Sequence, residues 1–359
     1  MRRLLLLCAV LAGCDSSGET PPPPPPDPFP APAAGARYHG VFPGDTSGLE
    51  NTITPGRLAE YEGAAGLPAA WVYFSHEWGE GRAFPAAQVG WIAAQGKVPY
   101  IRLMLRSSTE QDLAEPLFTP DRIIAGDFDT DLRRWARAAR DAGTPILAEY
   151  GTEMNGEWFG WNGKWSGAGT LTGYGDPTLP DGPERFRDAY RHIIDLMRQE
   201  EARNVAWVFH VNDGDYPATA WNRFEQYYPG DDDIAWLAVS VYGAQTPQDA
   251  EWPRFRDGMD SAYARLAALA PGKPVIVAEF GVTRDNPLGD QAAWADSALT
   301  DLLVGRWPAV IGFSWWNEGW PNDDDPAHDT NMRLQDNPPL SAVFTARLTG
   351  SPTLKGQYP

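Results

Sequence analysis

Cysteine is almost absent from this 359-residue chain: there are two, Cys8 and Cys14, both within the first fourteen positions. A disulfide framework or a thiolate metal site in the body of the protein is therefore excluded. Histidine is scarce too, at five residues. His76 and His210 have no partner at i, i+4 spacing, so hydrogen-bonding roles are expected of them and metal ligation is not. There is no G-x-G-x-x-G turn and no P-loop, which removes the usual phosphate-binding signals. Positive charge is in deficit as well. Lys and Arg number 29 against 48 Asp and Glu, a net charge of −19, which disfavours nucleic acid and anionic polymers such as pectin and favours a neutral partner. The apolar run Leu4 to Leu11 is too short to span a bilayer.

That run has a purpose of its own. Arg2 and Arg3 precede it and Ala12, Gly13 and Cys14 follow, the order of a signal peptide with a small-residue cleavage site. Leu11-Ala12-Gly13-Cys14 resembles a bacterial lipobox, which implies removal of residues 1–13, acylation of Cys14 and a membrane held through that lipid. Residues 14–36 are polar and then proline-rich, with no apolar periodicity. Pro21 to Pro26 favour polyproline II, a spacer of about 19 Å. The expected location is the bacterial cell envelope, exported and lipid-anchored. Residues 37–359 exceed the usual single-domain length, yet one α/β barrel reaches this size, and a single monomeric domain is expected.

In that domain short β-branched or aromatic runs alternate with stretches of helical period. Eight runs read as strands: Tyr38 to Phe42, Ala70 to Phe74, Val98 to Met104, Pro145 to Tyr150, Val205 to His210, Trp236 to Tyr242, Pro274 to Glu279 and Val310 to Trp315. Between them lie amphipathic stripes: Leu132, Trp135 and Ala139; Phe186, Ala189, Ile193, Leu196 and Met197; Phe255, Met259, Ala262, Leu266 and Leu269. Eight strands with intervening helices predict a (β/α)₈ TIM barrel, whose chemistry sits where strands end. Polar and aromatic residues gather at those ends: Arg102, Glu153, Asn155, His210, Tyr242, Glu279, Trp315 and Trp316.

Two of these carboxyls have the placement that glycosidic cleavage needs. Retention requires one carboxylic acid to protonate the leaving oxygen and one carboxylate to attack the anomeric carbon. Glu153 stands just past the fourth strand and Glu279 ends the seventh. With Glu153-Met154-Asn155-Gly156-Glu157-Trp158-Phe159 and Ala278-Glu279-Phe280-Gly281 in this order, residues 37 to 345 resemble family 26 of the glycoside hydrolases, β-mannanases among them. The resemblance implies Glu153 as acid/base, Glu279 as nucleophile, Trp158 as an aromatic wall at the cleavage point and Tyr242 as a hydrogen-bond donor to the nucleophile. It implies a retaining endo-β-glycanase acting on a neutral β-linked polysaccharide, first β-1,4-mannan, and it requires no cofactor and no metal. A β-1,3- or mixed-linkage glucanase or β-1,3-xylanase is the alternative within the family, and a non-catalytic glycan-binding lipoprotein the alternative outside it. Three neighbours depart from the mannanase pattern. Thr152 stands where His usually precedes the acid/base, Glu149 where Arg is common, and Ser240 where an acid is common two residues before the strand-six tyrosine.

Trp158, Trp161 and Trp165 crowd a Gly- and Asn-rich loop, and that composition predicts an exposed sugar platform. Trp315 and Trp316 are further candidates for sugar contact, although one of the pair must point into the barrel or its wall. Glu149 is a second candidate acid, or a partner of Arg102 inside the barrel. Asp231 to Asp233 and Asp323 to Asp325 border Pro and Gly and read as exposed turns.

Overall fold

The strands form where β-branched and aromatic residues run long enough to be buried on both faces, as parallel strands covered by helices must be. The computed structural model describes residues 29–33, 35–351 and 354–355; the signal, Cys14 and most of the tether lie outside them. Eight strands follow in order: β1 (Arg37–Phe42), β2 (Trp71–Glu77), β3 (Val98–Met104), β4 (Ile146–Tyr150), β5 (Val205–Asn212), β6 (Trp236–Tyr242), β7 (Val275–Gly281) and β8 (Val310–Trp316). Each pairs in parallel with the next, and β8 returns to β1 with Tyr38 opposite Gly312 and Phe42 opposite Trp316. The ring is closed, as the eight runs in the sequence predict.

Helices α1 (Pro55–Ala65), α2 (Ala86–Ala94), α3 (Pro120–Ile124), α4 (Asp129–Ala142), α5 (Asp181–Gln199), α6 (Phe255–Leu269), α7 (Gln291–Val304) and α8 (Pro338–Thr349) surround it. The expected stripes are the buried faces of α4, α5 and α6, with Leu269 at the edge of its stripe only half-buried. Between β5 and β6 there are only two short 3₁₀ turns, in the interval where the sequence shows no apolar stripe.

Inside the ring, alternate residues of β2 climb from base to mouth because side chains two apart share a face. Trp71 donates to Ser314 (2.5 Å), Tyr73 to Glu149, Ser75 to Glu50, and Glu77 accepts from Arg106. Room for the Trp71 indole comes from Gly40 and Gly312, where an added Cβ would lie 2.1 and 2.4 Å from it. Below, Phe29 is fully buried with its ring 5.0 Å from Tyr38 and 4.9 Å from Trp236. All three neighbours, Trp71 included, stand at strand starts. The tether expected to run to residue 36 therefore gives way earlier, because a phenylalanine with an open barrel base beside it gains by burial.

Candidate active site

A cavity of about 710 Å³ opens at the C-terminal ends of the strands, and Glu153 and Glu279 both line it. Glu279 reaches it through an irregularity in β7: Val239 pairs with Val277 but Ser240 with Glu279, leaving Ala278 as an extra residue. Such a bulge re-aims the side chain after it. The Glu279 carboxylate is then fixed from two sides. Tyr242 donates to Oε2 at 3.0 Å, and the Tyr73 hydroxyl, whose proton goes to Glu149, stands 3.1 Å from Oε1. The Arg102 guanidinium lies 3.7 Å away and is itself anchored on Glu50 at 2.7 Å. Burial pushes the Glu279 carboxyl up; Arg102 opposes this and the charge of Glu153 adds to it, with about 7 as the outcome.

Glu153 sits on a turn that few residues tolerate. Gly151 has φ +65° and Glu153 itself φ +49°, a left-handed conformation that costs a non-glycine residue energy and collects at functional sites. The surroundings hold it there. Its N–H donates to the His210 carbonyl at 3.0 Å, and the Trp158 indole donates to its Oε2 at 3.0 Å. Asn155 locks the following residue: its amide donates to the carbonyls of Asn212 and Gly214, and its Oδ1 accepts from the Asn212 N–H.

Beneath the cavity floor lies a buried cluster. His210 Nδ1 is 3.1 Å from both oxygens of Glu149 and 2.9 Å from Thr152 Oγ1, and its Nε2 is 2.8 Å from Ser240 Oγ. Burial disfavours charge on His210, yet the adjoining Glu149 raises its pKa overall. Burial likewise acts against Glu149, but His210, Arg102 and the Tyr100 hydroxyl hold it below the ordinary carboxylate range. Glu149 is thus kept ionised and off the cavity wall, so it has no proton to give to a leaving group. The three positions that depart from the mannanase pattern, 149, 152 and 240, all converge on this one imidazole.

The expected sugar contacts divide. Trp158, Tyr242, Arg102 and Trp316 line the cavity. Trp161 does not: it is 2 % exposed, stacked on Phe159 at 4.5 Å, and its indole donates to the Thr152 carbonyl at 2.8 Å. That loop encloses an indole because the amides of Asn162 and Asn222 satisfy the carbonyls of Met154 and Asn155 from within. Trp165 is half-buried beneath the Lys164 ammonium, off the cavity wall. Trp315 is fully buried, donates to the Met332 carbonyl and packs on Phe280 and Phe344. Asn155 and His210 are buried and support the walls without lining them. Several lining or supporting groups escaped the sequence reading, among them Tyr73, Glu50, Arg106 and Glu318. Period-two counting along β2 from Trp71 would have turned Tyr73 inward; nothing local marks the others.

Residues 115–282 match the model of Glycosyl hydrolase family 26, a span that includes Glu153, Tyr242 and Glu279. The chain is 28% identical over 222 residues to Endoglucanase H of Acetivibrio thermocellus, covering 61% of this chain and 22% of that protein. It is 21% identical over 212 residues to a β-1,3-xylanase of a Vibrio species, covering 55% and 41%. The chain thus spans less than half the length of these curated relatives. Among solved structures, a family 26 β-mannanase from Bacteroides ovatus superimposes with a TM-score of 0.60 at 16% identity, over 89% of this chain and 90% of that one.

Proposed function

We propose that this chain, which belongs to glycosyl hydrolase family 26, hydrolyses a neutral β-linked polysaccharide with retention of anomeric configuration. Glu279 attacks the anomeric carbon and Glu153 protonates the departing oxygen, then takes a proton from the water that releases the sugar from Glu279. One observation carries this reading: two carboxyl groups, one just past β4 and one on β7, line one cavity, Glu279 clamped by Tyr242 and Arg102. A binding protein has no use for an acid and a nucleophile together. The acidic walls, Glu50, Glu80 and Asp112 included, repel anionic chains and leave neutral ones.

The first substrate is β-1,4-mannan, which the resemblance in the acid/base and nucleophile segments supports. A second reading, β-1,3- or mixed-linkage glucan or β-1,3-xylan, is favoured by the His210 cluster. There Glu149, Thr152 and Ser240 are occupied with one another at positions where mannanases carry other residues. Mannan, lichenan, laminarin and xylan assayed side by side for new reducing ends separate the two. The chemistry is tested by Glu279→Ala. Turnover is expected to vanish, and azide to restore part of it with an inverted glycosyl azide as product, because the anion enters from the face the carboxylate left. Near-normal turnover in Glu279→Ala would remove the residue from the mechanism. Export and anchoring are part of the same proposal, and labelled palmitate on Cys14, lost in Cys14→Ser, is the measurement for them.

A further inference from the structure

Glu318 lies two residues beyond β8 and outside the segment that carries the family match. It lines the catalytic cavity beside Trp316, yet it is only 2 % exposed. Its backbone is fixed on both sides: its carbonyl accepts from the Met332 N–H, and the Gly319 N–H donates to the Asp45 carbonyl. Its stem packs so closely on the loop after β1 that a Cβ at Gly44 would come within 2.9 Å of it. Of its two carboxyl oxygens, Oε2 accepts from the Trp316 indole at 3.0 Å, while Oε1 is buried with no hydrogen-bond partner. Buried carboxyl oxygens in that state are uncommon and call for an explanation.

We propose that Glu318 donates a hydrogen bond from Oε1 to a hydroxyl of the sugar unit seated on the Trp316 side of the cavity, and so selects among neutral β-glycans. The inference rests on the functional reading above and names one of its specificity residues. Trp316 lines the cavity there, its ring stacked on Phe42 at 4.1 Å with the Arg102 guanidinium 5.3 Å from its centroid, and Glu318 reads a hydroxyl beside it. Donation is the direction because Oε2 is already engaged as an acceptor, which leaves the acid proton on Oε1. The surroundings keep that proton in place. Burial pushes the group up, Glu50 and Asp45 on the loop after β1 add to it, and the Trp316 indole and Arg102 on β3 oppose it, with about 9 as the result. Against the effect of burial, Asp45 is in turn held below the ordinary carboxylate range by Ser47, Arg57 and Arg333.

The test uses the full chain in a Glu153→Gln background, so that the acid/base no longer titrates, and a hexasaccharide of whichever polysaccharide in the panel is cleaved. Affinity is measured calorimetrically at pH 8 and pH 10, above the Glu279 transition. Binding that needs the neutral acid follows its population, so affinity is expected to fall about tenfold between the two pH values. With Glu318→Gln added, whose amide also donates, it is expected to stay within about twofold. In the otherwise wild-type enzyme Glu318→Ala is expected to raise KM about tenfold at pH 8, and Glu318→Gln about twofold or less. An equal pH response with and without Glu318→Gln, or affinity that rises with pH, overturns the proposal even if Glu318→Ala fails to fold. If no neutral glycan in the panel is cleaved, the functional reading falls and this inference with it. Cleavage with pH-independent binding removes Glu318 alone.

Discussion

The proposed mechanism has Glu279 attack carbon as the ionised carboxylate, and Glu279 is buried enough for that to matter. With its carboxyl pushed up to about 7, kcat/KM is expected to fall as pH drops below 7, by roughly tenfold per unit once the acid form dominates. Tyr242 donates to the charged form, which favours ionisation. Tyr242→Phe should therefore move this acid limb to higher pH and lower kcat, a hydrogen bond to a charged group contributing about 1.5–3 kcal/mol. A pH–rate profile of the variant is the check, and a limb that coincides with wild type would show that the hydroxyl only fills space. At this scale the sequence was legible where a motif spoke. Glu153, Glu279 and Tyr242 carry one, whereas Glu318 reaches the cavity only through barrel closure, which also sets Tyr73 within 3.1 Å of Glu279, 206 positions away.

Elements were easier to read than their contents. All eight strands lie within three residues of the expected positions, since β-branched runs bounded by helical stripes admit few alternatives. The loop after β4 was harder. Its Gly and Asn content suggests exposure, and for Trp158 the cavity does provide a wall, but the same asparagines turn inward and build a small core around Trp161. Composition reports which backbone shapes are allowed and not which carbonyls a side-chain amide will find. The two indoles should behave oppositely. Trp161→Ala is expected to cost about 3–5 kcal/mol of stability, the range for emptying a large aromatic from a core, with a lower melting temperature. Trp158→Ala should leave melting little changed and lower kcat/KM on polymer by about 1–3 kcal/mol, since the loss falls on sugar contact and on the hydrogen bond to Glu153. Calorimetry beside polymer kinetics decides between them, and a large melting shift in Trp158→Ala would transfer it to the core.

The whole molecule divides chemistry from stability along the barrel axis. Glu153, Glu279 and the polar walls lie at the strand ends, while the strand starts are closed by aromatic packing, as expected of a fold whose function resides at one face. Phe29 belongs to the closed end: its ring meets Tyr38, Trp71 and Trp236 and is fully buried. The sequence hid this, because Phe29 stands among prolines with no apolar neighbour to give it a period. Phe29→Ala is expected to cost about 3–5 kcal/mol, read as an earlier midpoint in denaturant with the slope unchanged. Its kcat and KM should match wild type well below the midpoint, because Glu153 and Glu279 lie at the far end of the strands. A chain shortened to begin at Arg37 should lose as much or more. Unchanged stability in both would mean that the barrel base closes without Phe29 and that the tether does run to residue 36. A selective loss of kcat in folded Phe29→Ala would instead mean that the two ends of the barrel are coupled through its interior ladder.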